Sequence, residues 1–466
     1  MTHLSTQCQD IRHWSGESVV AFSEVITLVK LTFYGGVGEI GGNKFLLKDK
    51  DTQILLDFGV NFAERSKFYS EPWLSPRDEK GLLEFDLLPA IRGAYRFEDR
   101  DSELDAVFIS HSHTDHSAYI TFLNRKIPVY CGETTALIIE AFSEITSKSF
   151  DNDLEGLQIR TFRTGDKVKI GSLVVEPIHV DHSVPGAYGF IIHTTEGAVV
   201  YSGDFRLHGT KPEMTQDFVK AASKHKPLAM LCEGTNLIGA DLSTEQDVEH
   251  KLEKVVGATR NLVLATFRHT DVDRTRTLFD VAKRNHRKLA ISMRQAYILN
   301  KLKKDKHLQM PRVDSADFLI FRREKKNYYK WEQEIIELGN TVDAREVNRM
   351  QDKVILATSF SDLKELIEIR PSAGSSFILS SSEPFNEEME IEHDKFVNWL
   401  DHFGLPMFHI HCSGHIMPTE TRQVISIIKP RTLFPIHTER AELFGRFVSD
   451  ITKVELPQLG KSETIH

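Results

Sequence analysis

A short apolar strand, Leu104–Ser110 (LDAVFIS), runs without a break into His111-Ser112-His113-Thr114-Asp115-His116. Imidazoles and a carboxylate packed this densely are costly to bury unless each finds a partner. On a loop leaving a strand end, they can reach two metal ions a few Å apart. A solvated histidine patch is the alternative, but HxHxDH is too specific a pattern to arise readily by chance. Any fold for this chain must therefore bring other side chains to the end of this one strand.

Two later segments offer such side chains. His182-Ser183-Val184-Pro185-Gly186 follows an apolar strand, and Val199–Phe205 (VVYSGDF) sets Asp204 directly after a β-type run. An acid at a strand end beside neutral imidazoles suits a carboxylate bridging two divalent ions; capping a turn is its alternative. His179 competes with His182 as a ligand, and the turn that His182 opens favours His182.

The chain has 466 residues, 40% hydrophobic and 27% charged, enough for one large domain or two to three ordinary ones. No apolar run reaches the ~18–20 residues of a membrane-spanning helix. Met1–Ser23 lacks the basic-then-apolar layout of a secretory signal, so the cytoplasm is the expected location, with no membrane partner. Cys8, Cys131, Cys232 and Cys412 lie far apart with no CxxC pair, which argues against a disulfide framework or a thiolate zinc finger. The net charge of −9 argues against indiscriminate nucleic-acid binding, but it is unevenly spread. Arg260–Trp331 holds 19 Lys and Arg against 7 Asp and Glu, a local +12 against −21 for the remainder. Fields act within about 8–10 Å, so this stretch can attract a polyanion.

Strands are predicted over Val29–Tyr34, Lys44–Leu47 and Gln53–Gly59. Between the first two, Gly35–Asn43 (GGVGEIGGN) predicts a tight β-turn and not a nucleotide loop, because no helix follows it. Residues 60–100 form a mixed connection with no predicted place. Thr134–Ile145 predicts a helix; Leu173–Ile178, Gly189–His193, Ala198–Ser202 and Leu228–Cys232 predict strands. From Ser243 the elements alternate, with helices over Glu245–Val256, Asp271–Arg284, Ala296–Lys304 and Asn386–His402. Strands fall over Asn261–Thr266, Lys288–Ser292, Val354–Thr358, Ser376–Ser380, Phe408–His411 and Thr432–Ile436. That rhythm predicts a parallel sheet with covering helices.

The HxHxDH loop, the strand-end Asp57, His182 and Asp204 resemble the successive motifs of the metallo-β-lactamase fold. Cys232-Glu233-Gly234-Thr235 resembles the acidic motif that opens a β-CASP domain, His411–His415 (HCSGH) its second motif and Pro435–Glu439 (PIHTE) its third. Leu379–Glu387 (LSSSEPFNE) and the His182–Pro185 turn are similar to ribonuclease J, in its archaeal form without a C-terminal domain. The resemblance spans roughly Leu31 to Phe447 and implies an α/β fold. That fold would be an αββα metallo-β-lactamase sandwich, residues 26–236 and 386–466, interrupted by an inserted parallel α/β β-CASP domain, residues 237–385.

The same resemblance implies two zinc ions, or manganese in their place. His111, His113 and His182 would hold one ion and Asp115, His116 and His437 the other, with Asp204 bridging. Such a pair makes a nucleophile from water by lowering its pKa from about 15.7 toward 7. The expected activity is hydrolysis of single-stranded RNA, as a 5′-to-3′ exonuclease; a DNA-directed nuclease or a small-molecule metallo-hydrolase are the alternatives. Thr358–Asp362 (TSFSD) departs from the family's glycine-containing phosphate-contact segment. Without the C-terminal domain, a homodimer loses its usual basis.

Asp115 and His415 are the residues expected at the reaction, His415 as the group that protonates or stabilises the leaving oxygen. Asp57 and Glu233 are expected to orient ligand imidazoles, and His411 either does the same or sits in the core. Substrate contacts are expected from Arg268, Arg274, Arg276 and Arg294, from Ser292, Ser381 and Ser413, and from His415. Arg322–Trp331 interleaves cations with aromatics, which suits backbone contact plus base stacking; a solvated helix face is its alternative.

Overall fold

The structure is a computed structural model that describes residues 28–70, 73–239, 242–381 and 387–465. Cys8, the N-terminal stretch considered as a signal, and residues 382–386 of the serine-rich segment lie outside the described residues.

Three seven-stranded sheets organise the described residues. The first runs Ser462–Ile465, Val29–Gly35, Lys44–Asp49, Thr52–Leu56, Ala106–Ile109, Pro128–Gly132, Gln158–Phe162, and its strands are parallel from Thr52–Leu56 onward. The second runs Lys453–Val454, Thr432–Ile436, Ala229–Glu233, Ala198–Tyr201, Tyr188–His193, Leu173–His179, Val168–Ile170. Alternation along the strands decides which side chains meet. Leu31, Phe33, Ile54 and Leu56 face the second sheet, whereas Leu55 points to the opposite side. Phe33, Phe45 and Phe108 there contact Phe434, Tyr201 and Phe190, each burial contributing about 1.5–3 kcal/mol.

Helices cover both outer faces. Glu133–Ile145 packs on the first sheet; Pro212–Ser223, Pro418–Ile428 and Ala441–Val448 pack on the second, which completes an αββα sandwich. The 60–100 connection belongs here too: Leu82, Leu87, Leu88, Ile91 and Tyr95 are buried against the first sheet. Its apolar residues follow neither the strand nor the helix period, so no element was legible in it.

The third sheet is all parallel, in the order Thr341–Val342, Phe318–Phe321, Lys288–Ser292, Val354–Ala357, Val263–Thr266, Ser376–Leu379, Met407–His409. Both faces are buried, with Val263 and Ala265 on one side and Leu262 and Leu264 on the other. Met407–His409 pairs with Ser376–Leu379, so the sheet runs past residue 386, where the expected return segment begins.

A buried charge network joins the second sheet to the third. Arg206 and Arg274 are fully buried. Glu245, the first residue of helix Glu245–Ala258, accepts from Arg206 Nη1 at 3.0 Å and from Arg274 Nη2 at 2.9 and 3.0 Å. That carboxylate thus serves both guanidinium groups, and Asp181 Oδ1 also accepts from Arg206 Nε at 3.2 Å. Glu245→Gln leaves them underpaired and is expected to lower the unfolding free energy by about 3–5 kcal/mol. Glu249→Gln, which weakens the exposed pair with Arg284, should cost about 0–1 kcal/mol. Urea unfolding of both variants checks the contrast.

Candidate metal centre

Parallel pairing aligns the carboxyl ends of Thr52–Leu56 and Ala106–Ile109 in one sheet, and of Ala198–Tyr201, Ala229–Glu233 and Thr432–Ile436 in the other. Asp57, His111, Asp204, Thr235 and His437 lie just beyond those ends, where α/β sheets commonly bind ligands. Asp57 and His437 adopt left-handed φ values of 56° and 50°, a strain that the surrounding bonds hold in place. Gly59 is required close by: a Cβ there would sit 1.8 Å from the Asp115 carbonyl oxygen.

Three overlapping groups form. His111, His113, His182 and Asp204 make the first, Asp115, His116 and His437 the second, and Asp204, Glu233, His415 and His437 the third. Around His113 Nδ1, His111 Nε2 lies at 3.0 Å and His182 Nε2 at 3.1 Å. Asp204 Oδ2 is 3.1 Å from His116 Nε2, 3.6 Å from His111 Nε2 and 3.9 Å from both His182 and His437 Nε2. His437 Nε2 is 3.0 Å from Asp115 Oδ2. A single carboxylate oxygen therefore stands between the first two groups. His179 stacks on Tyr188 outside them, with ring centroids 4.0 Å apart.

The far side of most rings fixes where the lone pairs point. His116 Nδ1–H donates to Asp57 Oδ2 at 2.7 Å and His182 Nδ1–H to the Gly414 carbonyl at 2.6 Å. Ser110 Oγ donates to Asp57 Oδ2 at 2.7 Å, which leaves it to accept from His111 Nδ1–H at 3.0 Å. Thr235 Oγ1 donates to Glu233 Oε2 at 2.7 Å and accepts from His437 Nδ1–H at 2.8 Å. Each of these four imidazoles then turns an Nε2 lone pair inward.

Burial, helped by neighbouring imidazoles, holds His111, His113 and His182 well below the usual imidazole range, in the neutral form that ligates. Burial acts the same way on His116, but Asp204, Asp115 and Asp57 outweigh it and raise its pKa. Asp115 and Asp204 resist the upward push of burial, chiefly through His116, and stay ionised. Asp204 Oδ1 is buried with no hydrogen-bond partner, a deficit of about 1–3 kcal/mol or more for a charged group. Inward lone pairs around an underpaired carboxylate fit a divalent metal as the missing partner.

His415 stands at the rim. Glu233 and Asp204 raise its pKa to about 9 against the effect of burial, with its Nδ1 at 3.1 Å from Glu233 Oε2 and 3.7 Å from Asp204 Oδ2. Glu233 thus holds His415 directly and His437 through Thr235. Ser110, Tyr201 and Thr235 were not singled out by sequence. Tyr201, which donates to Asp57, and Thr235 lie inside the quoted motifs, and Ser110 immediately precedes one.

The expected substrate contacts divide. Arg268 and Arg294 are exposed, and Arg268 is near enough to depress the His113 pKa. Ser413 Oγ, half-buried, accepts from Asn236 Nδ2 at 2.9 Å, and the Ser381 carbonyl accepts from His409 Nε2 at 2.9 Å. Ser292 Oγ caps helix Met293–Leu302 by accepting from Gln295 N–H at 3.2 Å. Arg274 does not face a cleft, because Glu245 and Ser380 hold it in the interior. Arg276 is taken up by Asp273 and the Gln309 carbonyl. In Arg322–Trp331, Arg323 pairs with Asp362 and Lys325 with Glu332, and Trp331 packs against Tyr297; Lys326, Tyr329 and Lys330 stay exposed. His411 Nδ1 is buried with no hydrogen-bond partner, and burial lowers its pKa to about 3.

Residues 85–223 match the family model described as a beta-lactamase superfamily domain. Ribonuclease J of Sinorhizobium meliloti is 26% identical over 427 residues, covering 88% of this chain and 68% of that protein. Ribonuclease J 1 of Streptococcus pyogenes is 26% identical, covering 87% and 68%, and ribonuclease J of Thermus thermophilus 24%, covering 88% and 68%. A crystal structure of a protein of unknown function from Enterococcus faecalis V583 shares the fold, with a TM-score of 0.75 at 21% identity, over 94% of this chain and 100% of that one. The motif order, the strand-end cluster and these likenesses agree: residues 85–223 carry a beta-lactamase superfamily domain, and the chain as a whole is ribonuclease J-like.

Proposed function

We propose that the protein is a metal-dependent ribonuclease that hydrolyses phosphodiester bonds of single-stranded RNA from the 5′ end, using a pair of zinc ions. The observation that carries this reading is Asp204 Oδ2, set between two groups of inward-facing donors. The ribonuclease J relatives supply the substrate class. His111, His113 and His182 would hold one ion, and Asp115, His116 and His437 the other, with Asp204 between them. When bound, the pair supplies a nucleophile from water near neutral pH and offsets phosphoryl charge.

The chain's own side chains do the remaining work. Asp57, Ser110, Thr235 and the Gly414 carbonyl keep the lone pairs aimed. His415, charged at neutral pH and held through Nδ1 by Glu233, has Nε2–H to offer to the departing 3′ oxygen. Products would carry 5′-phosphate and 3′-hydroxyl ends. We assign the third sheet and its helices to the inserted domain that holds RNA. Its basic stretch, with Arg268 and Arg294 exposed, suits a phosphate backbone. A small-molecule hydrolase would need neither the extra domain nor its +12 charge.

Matched labelled RNA and DNA single strands with 5′-hydroxyl, monophosphate or triphosphate ends test the substrate. RNA should be cut faster and at rates that depend on the end group; preference for DNA overturns the reading. Asp204→Ala should bring cleavage to background while circular dichroism stays unchanged, and unchanged turnover removes Asp204 from its role. Thr235→Val frees His437 Nδ1 and should weaken metal affinity by about 10–100-fold, read by titration with a competing chelator.

A further inference from the structure

Away from the catalytic edge, three more metal-ligating side chains converge on the outer face of the second sheet. In the antiparallel ladder between Leu173–His179 and Tyr188–His193, Val174 pairs with His193 and Glu176 with Ile191. Glu176 and His193 are therefore diagonal neighbours on one face, and His193 Nε2 lies 3.4 Å from Glu176 Oε2. His225 follows helix Pro212–Ser223, its N–H bonded to the Ala222 carbonyl at 3.1 Å. Its ring stands edge-on to His193, with centroids 4.9 Å apart. One ligand atom from each of the three lies within 4.8 Å of the others. The two sites are separate. Tyr188 N–H bonds the Ser110 carbonyl beside the catalytic cluster at 3.0 Å, and His193 ends the same strand roughly 17 Å further along.

We propose that Glu176, His193 and His225 bind a divalent transition-metal ion, zinc foremost, that staples the end of helix Pro212–Ser223 to the second sheet. Two imidazoles and a carboxylate favour zinc over magnesium or calcium, which prefer all-oxygen shells. The 3.4 Å separation of His193 and Glu176 matches the edge of a tetrahedron whose ligands lie about 2.0–2.1 Å from the metal. His225 is exposed, so its side chain is free to close the remaining gap, and the fourth position opens to solvent. Lys167 Nζ stands 3.7 Å from Glu176 Oε2. An exposed pair of that kind contributes about 0–1 kcal/mol and gives way to a dication. Beneath the cluster, Ile191, Val200, Phe218, Val219 and Ala222 form the apolar layer between helix and sheet. An ion here ties that layer down where the helix ends, and the inference does not rest on the nuclease reading.

The test uses the full chain without a polyhistidine tag, stripped with a chelator, dialysed against micromolar free zinc and counted by elemental analysis. Wild type should hold one zinc per chain more than His193→Ala/His225→Ala. The same difference of one should persist in a His111→Ala/His113→Ala background, so the count stands whether or not the catalytic cluster loads. Zinc should also slow amide exchange in the last turn of Pro212–Ser223 in wild type but not in His225→Ala, a change at an exposed position. Equal zinc counts with and without His193 and His225, or exchange that zinc leaves unchanged in wild type, overturn the proposal.

Discussion

The strand-end cluster depends on one constraint: each buried imidazole must point the correct nitrogen inward. Burial, helped by neighbouring imidazoles, secures the neutral form for His111, His113 and His182, but it says nothing about which nitrogen carries the proton. That choice is made behind the rings, by Asp57, Ser110, Thr235 and the Gly414 carbonyl. Asp57 is central because its carboxylate also takes the Ser110 hydroxyl and the Tyr201 phenol, so the His116 and His111 imidazoles are referred to a single anchor. The left-handed backbone at Asp57 is the local strain that accompanies this arrangement.

The segment returning from the third sheet links the basic part of the molecule to the metal centre. Ser413 accepts through its carbonyl from Arg206 and His208, and the next carbonyl, of Gly414, holds His182. Glycine is required there, since a Cβ would lie 2.6 Å from Ser183 Oγ and 2.9 Å from His182 Cε1. Arg206 meanwhile shares Glu245 with Arg274 of the third-sheet layer. A shift of that layer would therefore reach His182 along the bonded series Arg274, Glu245, Arg206, the Ser413 carbonyl and the adjoining Gly414 carbonyl.

Local patterns made much of the fold legible. Alternating strands such as Val29–Gly35 and the strand–helix rhythm after Ser243 carry their own period, and the parallel third sheet follows from it. The short edge strands Gln158–Phe162 and Lys453–Val454 were missed because their residues are largely exposed and leave no apolar signature. Arg274 was misplaced for a related reason. Its charge suggested a surface, and only the distant Glu245 and Ser380 make its burial tolerable.

The chemistry of the site was written locally: imidazoles and carboxylates immediately after apolar strands, in an order that singles out a metal-binding fold. Sequence alone could not assign the atoms. Asp115 and His437 are 322 positions apart, yet their Oδ2 and Nε2 lie 3.0 Å from each other. Parallel pairing across two sheets creates that proximity, because register aligns strand ends that the chain itself keeps distant. Residue types and strand-end positions came from the sequence. Which nitrogen faces inward, which carboxylate oxygen is shared and which arginine is buried were decided only by tertiary packing, which brings each group its partner.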